Sequence, residues 1–205
     1  MVLYMIRHGE TDWNKVRRLQ GRSDIPLNSE GIRLAKVTSD ALKSVPFTRI
    51  YTSPLKRARQ TAEIIKGERN IPVIEEPRIQ EISFGIYEGY HCGKDNYDIP
   101  DPDFINFFDN PEKYIPPKNA ESIAELCKRT TDFLQELVYN KEYENDVILL
   151  STHGAALRGL LSSVTGRGVD EFWKGGVHKN CAVTIVEAID GKLVMREEGK
   201  VYYDN

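Results

Sequence analysis

Two histidines of this chain stand in the same local setting. Arg7-His8-Gly9 follows the apolar run Val2 to Ile6, and His153-Gly154 follows the run Val147 to Thr152. Each run reads as a strand, so both histidines fall where a strand ends, the carboxyl edge at which open parallel sheets place their ligands. His153 also opens a helical pattern, whose first amides are free to hold an anion. Glycine after each histidine suits a backbone that passes close to a bound group or takes a conformation other residues accept at a cost. A lone histidine at a strand end is most simply a satisfied, partly buried side chain. Two arriving at one edge by one construction point to a site.

Arg57 and Glu81 add to them. The run Arg49 to Thr52 reads as another strand and continues into Ser53-Pro54-Leu55-Lys56-Arg57, which places Arg57 in the first turn of the next helix at the same edge. A guanidinium offers a planar fork of donors that matches phosphate oxygens, and Arg7 offers a second. Arg59, by contrast, reads as a solvated helix charge. Glu81 follows the strand around Val73 and precedes an irregular stretch. A carboxyl partly withdrawn from water there is a usable proton donor near neutrality, an effect that neighbouring cations oppose.

The elements that must position these groups are legible as alternating patterns. Strands are expected at Val2 to Ile6, Arg49 to Thr52, Val73 to Ile74, Val147 to Ser151 and Ala182 to Ala188, several buried on both faces. Between them lie helical patterns. The first is capped at Asn28 and runs through Ile32, Ala35 and Leu42. The second follows Pro54, read as a first-turn proline. The third runs from about Ala120 to Tyr139, with an apolar stripe through Ile123, Leu126, Cys127, Thr130, Phe133, Leu134, Leu137 and Val138. The fourth starts just after His153 and stops near Gly166. This alternation predicts an α/β fold with a mostly parallel sheet covered on both faces. Asp190-Gly191 between Ala182 to Ala188 and Lys192 to Glu198 is a hairpin signal and predicts an antiparallel edge.

At 205 residues the chain is expected to form a single domain spanning residues 1–205, with a lid or insertion at about 85–119, where Tyr, Phe, Asp, Asn and Pro accumulate without a clean period. A net charge of −3, from 28 basic and 31 acidic residues, leaves no basic footprint, which argues against nucleic acid and membrane partners. Met1 leads straight into the first strand, so neither a signal peptide nor a spanning helix is expected and the location is read as cytoplasmic. Cys92, Cys127 and Cys181 are odd in number and widely spaced, which reads as reduced thiols. None has an Arg six positions on, so a cysteine-nucleophile phosphatase loop is absent. Oligomeric state is not written in these features.

The ordered motifs carry a family resemblance. Arg7-His8-Gly9-Glu10-Thr11, Trp13-Asn14, Arg18-Leu19-Gln20-Gly21, Asp24, Pro26-Leu27, Ser53-Pro54, Arg57-Ala58, Thr61-Ala62, Glu81 to Gly89 and Ser151-Thr152-His153-Gly154 resemble the histidine phosphatase superfamily, in its phosphoglycerate-mutase-like branch. The resemblance runs from the first strand to about Glu187. It implies a three-layer α/β/α sandwich and a covalent phosphohistidine, with His8 as nucleophile and Glu81 as proton donor. It further implies Arg7, Arg57 and His153 as ligands of the phosphoryl oxygens, and Asn14, Gln20, Gly21, Thr11 and Gly154 as substrate-binding positions. A neutral imidazole nitrogen can attack phosphorus directly, and with the arginines and His153 supplying positive charge no metal or cofactor is expected. The expected partner is a small phosphorylated metabolite.

Hydrolysis and phosphoryl transfer between hydroxyls both occur in that family. Mutases carry extra lid cations, whereas no arginine lies between Arg78 and Arg129, and the lid offers Lys94, Lys113 and Lys118 against Asp95, Asp98, Asp101, Asp103, Asp109 and Glu112. Glu81-Ile82-Ser83-Phe84-Gly85 with Tyr87-Glu88-Gly89 looks like the phosphatase version of its segment, and the chain is shorter than typical mutases of the family. Tyr87, Tyr90, Tyr97, Phe104, Phe107, Phe108 and Tyr114 are expected mostly to pack the lid onto the body, with some left to wall the site. A phosphoglycerate mutase is the alternative, and a binding or regulatory module without turnover is a weaker one. An aspartate-nucleophile phosphatase using Asp101-Pro102-Asp103 fits poorly, because that run lies among prolines and follows no apolar strand. The chain departs from the family pattern at Leu34, where glutamine is usual, and at Lys118 to Ser122, where a Gly-rich lead-in is usual.

Overall fold

The computed structural model describes residues 1–204. Six strands form one sheet: β1 (Val2–Arg7), β2 (Arg49–Thr52), β3 (Val73–Glu75), β4 (Val147–Thr152), β5 (Val183–Ile189) and β6 (Lys192–Lys200). Their order is β3-β2-β4-β1-β5-β6. The β3, β2, β4 and β1 neighbours are parallel, while β5 runs antiparallel to β1 and pairs with β6 as a hairpin. The antiparallel part is thus two strands wide. Asp190 and Gly191 both take positive φ in the hairpin turn, at 51° and 74°.

Alternate side chains of a strand face opposite sides of the sheet. Leu3 and Met5 of β1 and Ile148 and Leu150 of β4 turn to one face, where Phe133, Leu134, Leu157, Leu160 and Leu161 meet them. Ile6 and Leu149 turn to the other face, against Leu34, Ala35, Ala62 and Ile65. One layer is therefore α5 (Ile123–Tyr139) with α6 (Gly154–Thr165), and the other is α2 (Ser29–Ala41) with α3 (Lys56–Lys66), while the short α1 (Asp12–Lys15) and α4 (Asn106–Asp109) lie in connections. The result is the three-layer α/β/α sandwich.

Local signals set most boundaries. Asn28 caps α2 through the Gly31 amide at 2.8 Å, and Ser122 with Glu125 forms a capping box on α5. Gly166 ends α6 in the left-handed conformation. Pro54 departs from expectation: α3 starts at Lys56 with Leu55 as N-cap, so the proline precedes the helix instead of filling its first turn. The 85–119 stretch is short 3-10 turns and α4, tied down by rings: Phe104, Phe107 and Tyr114 are buried with Phe84, Leu126 and Phe172. No helix among the described residues is long and apolar enough to cross a membrane.

Candidate active site

Strand register brings the two histidines together. Arg7 pairs with Thr152 across β1 and β4, and the His8 amide donates to the Thr152 carbonyl at 2.9 Å. The next residue on each strand is thus a neighbour of the other, and the His8 and His153 rings lie 5.1 Å apart. Thr52 pairs with Ser151, which brings Ser53 beside them.

His8 is held as a nucleophile would be. Its Nδ1 lies 2.7 Å from the Gly9 carbonyl, which only accepts, so Nδ1 carries the hydrogen and Nε2 keeps its lone pair. Burial, then Arg57 and Arg7, push its pKa well below the usual 6.5, opposed by the Gly9 bond, so the ring is neutral at physiological pH. His153 is also lowered, by burial first and then by Arg57 and His8. Its Nε2 lies 2.7 Å from Ser53 Oγ, and the Leu55 amide already donates to that oxygen at 3.3 Å. A serine hydroxyl has one proton and two lone pairs, so Ser53 Oγ can donate to Nε2 or accept from it, and either tautomer of His153 fits this contact.

Arg57 and Arg7 are anchored on carbonyls. Arg57 donates to Gly21 O at 2.7 Å and Ser23 O at 2.8 Å, and burial pulls it down to about 10, still cationic at neutral pH. Arg7 donates to His178 O. The loop that receives Arg57 is itself held by Glu88, whose carboxylate accepts from the Arg22 and Ser23 amides at 2.9 and 2.8 Å. Gly21 has φ +52°, and a Cβ there would come 2.2 Å from that carboxylate. Among the described residues, the buried side-chain nitrogens without a protein partner include Arg7 Nε, Arg57 Nε and His153 Nδ1. Buried polar nitrogens are seldom left unpaired; both arginines act on the His8 charge, and the His153 ring packs against the His8 ring.

The structure sets Glu81 against the start of α6. Its carboxylate accepts from the Ala155 and Ala156 amides at 3.2 and 2.9 Å. This corrects the expectation from sequence that the first amides of that helix are free for an anion: Glu81 occupies them. Arg129 fixes the Glu81 segment by donating to the carbonyls of Arg78, Gln80 and Glu81 at 2.7, 2.8 and 3.2 Å. A Cβ on Gly154 would lie 3.7 Å from Glu81 Oε2 and 3.8 Å from Arg7 Nε, so acid and guanidinium flank the Gly154 backbone. Gly9 is needed for a different contact, since a Cβ there would be 2.6 Å from the Gly31 carbonyl of α2.

Arg7, His8, Asn14, Gln20, Gly21, Arg57, Glu81 and Gly154 line one cavity of about 530 Å³. Thr11 and His153 are fully buried beside these residues, His153 against the His8 ring. The Thr11 hydroxyl lies 3.0 Å from Gln20 Oε1 and 3.1 Å from Asn14 Oδ1, which leaves the NH₂ ends of both amides as donors. Asn180 is an addition that sequence reasoning missed: it donates to His8 O at 3.0 Å and lies on the cavity wall. Its one sequence signal is position, because the residues just before an antiparallel neighbour of β1 must lie beside the end of β1. Phe107 and Phe108 of the 85–119 stretch reach the cavity with Phe84 and Trp173. Arg17, Arg18 and Lys94 also line it, so cations reach the cavity from the 17–18 segment as well as from the 85–119 stretch.

Comparison with known proteins agrees with this geometry. The family model of the histidine phosphatase superfamily (branch 1) matches residues 3–199. The uncharacterized phosphatase PhoE of Bacillus subtilis (strain 168) is 36% identical over 162 residues, covering 79% of this chain and 76% of the relative. The probable phosphoglycerate mutase GpmB of Proteus mirabilis (strain HI4320) is 37% identical over 164 residues, 80% of this chain and 74% of that one. The solved structure of Bacillus stearothermophilus YhfR superposes with a TM-score of 0.90 at 34% identity, covering 98% of this chain and 97% of the other. Sequence, fold and the disposition of residues at the sheet edge agree that the chain belongs to the histidine phosphatase superfamily, branch 1.

Proposed function

We propose that this protein is a phosphatase that hydrolyses a small phosphomonoester through a phosphohistidine on His8. One observation carries the reading: a buried neutral imidazole whose free lone pair is on Nε2 lies with two buried arginines, Arg7 and Arg57, whose Nε–H groups have no partner among the described residues, and against His153, whose Nδ1 is likewise unpartnered. Nε2 attacks phosphorus and the ester P–O bond breaks, its electrons going to the leaving oxygen. Glu81 gives that oxygen a proton. Water then attacks the phosphohistidine, Glu81 takes its proton, the P–N bond breaks, and inorganic phosphate leaves with His8 restored. The two guanidinium groups, and His153 in the tautomer with its hydrogen on Nδ1, stabilise the equatorial oxygens throughout, so the positive charge of the transfer comes from side chains and no metal is assigned a part. Hydrolysis is favoured over transfer to a second hydroxyl by the Glu81 to Gly89 segment, which resembles the phosphatase version.

The test is a panel of phosphomonoesters assayed without added metal for phosphate release and for isomer formation, 3-phosphoglycerate with its bisphosphate activator included. Phosphate release is expected, together with an acid-labile phosphoryl label that His8→Ala abolishes. Isomer formation outpacing release would establish the mutase instead, and activity surviving His8→Ala would end the covalent mechanism.

A further inference from the structure

Among the described residues, every arginine except two gives its guanidinium to a carboxylate or a backbone carbonyl of this chain. The exceptions are Arg17 and Arg18, and both line the cavity. Arg18 is held there through its Nε, and Arg17 through its backbone. Asp98 accepts from the His91 amide at 2.6 Å and from His91 Nδ1 at 2.8 Å, which leaves Nε2 to accept from Arg18 Nε at 3.2 Å. The terminal nitrogens of Arg18 keep their hydrogens for something else. Arg17 takes φ 56°, in the left-handed region that an arginine seldom adopts. Its carbonyl accepts the Cys92 amide at 2.8 Å, so the 17–18 segment and the stretch leading to Lys94 form one wall. Lys94 lies on that wall and makes no hydrogen bond or ion pair among the described residues.

Charge in the cavity then decides what the wall is for. A phosphoryl dianion at His8 is matched by Arg7 and Arg57. Arg17, Arg18 and Lys94 remain, against Glu10, Asp109 and Glu81 on the cavity wall; Glu81 is engaged by the α6 amides and assigned the proton of the leaving group, and Glu10 already accepts from Asn28 at 2.9 Å. We propose that the leaving group of the substrate carries a second anionic group, a carboxylate or a second phosphate, bound by Arg17 and Arg18 with Lys94 beside them. This rests on the phosphatase reading for the position of the first phosphate. A guanidinium with its Nε already bonded presents its other donors in a set plane, the arrangement that suits an oxyanion.

The experiment uses ester pairs that differ in the distal charge. 3-Phosphoglycerate is compared with glycerol 3-phosphate for the carboxylate, and 1,3-propanediol bisphosphate with its monophosphate, per ester bond, for the phosphate. At least one anionic member is expected to show kcat/KM about tenfold to a hundredfold above its partner, the scale of a charge-assisted hydrogen-bonded contact. The double variant Arg17→Gln/Arg18→Gln is expected to bring that ratio to within about twofold of unity. A variant that merely folds poorly lowers both members and leaves the ratio unchanged. Wild-type ratios near one, or a ratio that survives the double variant, would overturn the proposal. p-Nitrophenyl phosphate, with an uncharged leaving group body, reports separately on hydrolysis and on labelling of His8. If no ester is turned over, calorimetric binding of the same pairs decides: tighter binding of the anionic member by about tenfold supports the site, and equal binding refutes it.

Discussion

Substituting Gly154 by alanine puts one methyl group between the Glu81 carboxylate and the Arg7 guanidinium. The ideal Cβ would lie 3.4 Å from Val177 Cγ1, 3.7 Å from Glu81 Oε2 and 3.8 Å from Arg7 Nε, all ordinary van der Waals distances. Gly154 is the first residue of α6, and its backbone is not in the left-handed region. Alanine there is expected to leave stability unchanged or raise it by up to about 1 kcal/mol, since glycine loses more conformational freedom on folding. For a chain of this size that is a rise in Tm of at most about 2–4 °C. Catalysis responds in the opposite sense. A phosphoryl oxygen within hydrogen-bonding reach of Arg7 Nε, on the side facing Glu81, competes with the methyl for space, and a displacement of about 1 Å at a reacting group costs on the order of a hundredfold. The expected result is a loss of about a hundredfold in kcat/KM for p-nitrophenyl phosphate, with weaker inhibition by inorganic phosphate and an unchanged or higher melting temperature. Wild-type turnover by the alanine variant would show that the transferred group does not pass between Arg7 and Glu81. A fall in Tm of several degrees would show that the backbone reasoning at this position is wrong.

Three further outcomes are expected. Gly9→Ala places a Cβ 2.6 Å from the Gly31 carbonyl, so β1 and α2 must part; overpacking of this kind costs about 1–3 kcal/mol, and thermal unfolding of the variant should fall by several degrees where Gly154→Ala does not. Glu81→Gln removes the proton donor and is expected to cost about 10²–10⁴ in kcat for an alkyl phosphate but far less for p-nitrophenyl phosphate, whose leaving group needs no proton; equal losses on both would refute the assigned role. The pKa values of His8, His153 and His178 are all lowered from 6.5, in each case first by burial. Below pH 6.5 the unfolded chain therefore takes up protons that the native protein refuses, so stability holds above about pH 6.5 and declines as pH falls beneath it. Urea midpoints at about pH 7.5 and 5.5 check the sign, and an equal or higher midpoint at the lower pH contradicts it.

Several contributors to the site were not legible because they act at a distance along the chain. Glu88 reads locally as a charged residue at a turn, yet it organises the loop whose carbonyls hold Arg57. Ser53 lay inside a quoted motif without a role, and only its approach to His153 gives it one. The glycines after the two histidines looked alike in sequence and differ in space: Gly9 lets two backbones meet, whereas Gly154 leaves ordinary room between an acid and a guanidinium. The tally of lid charges was correct as a count but addressed the wrong surface, since Arg17 and Arg18 reach the cavity from before the first long helix.

The amino-acid sequence by itself determined the alternation of buried strands and amphipathic helices, the antiparallel hairpin after Ala182, the arrival of His8 and His153 at strand ends, and the place of Arg57 in the first turn of the helix after β2. Hydrophobic period, caps and turn residues act over a few positions, and those outcomes follow from neighbours in the chain. Only the tertiary structure decided that β4 lies between β1 and β2, that Arg7 pairs with Thr152 so that the histidines adjoin, and that Glu81 closes the start of α6. It also decided which arginines find partners. Those outcomes depend on which distant surfaces exclude water together, and the local pattern of a chain does not specify its long-range pairing.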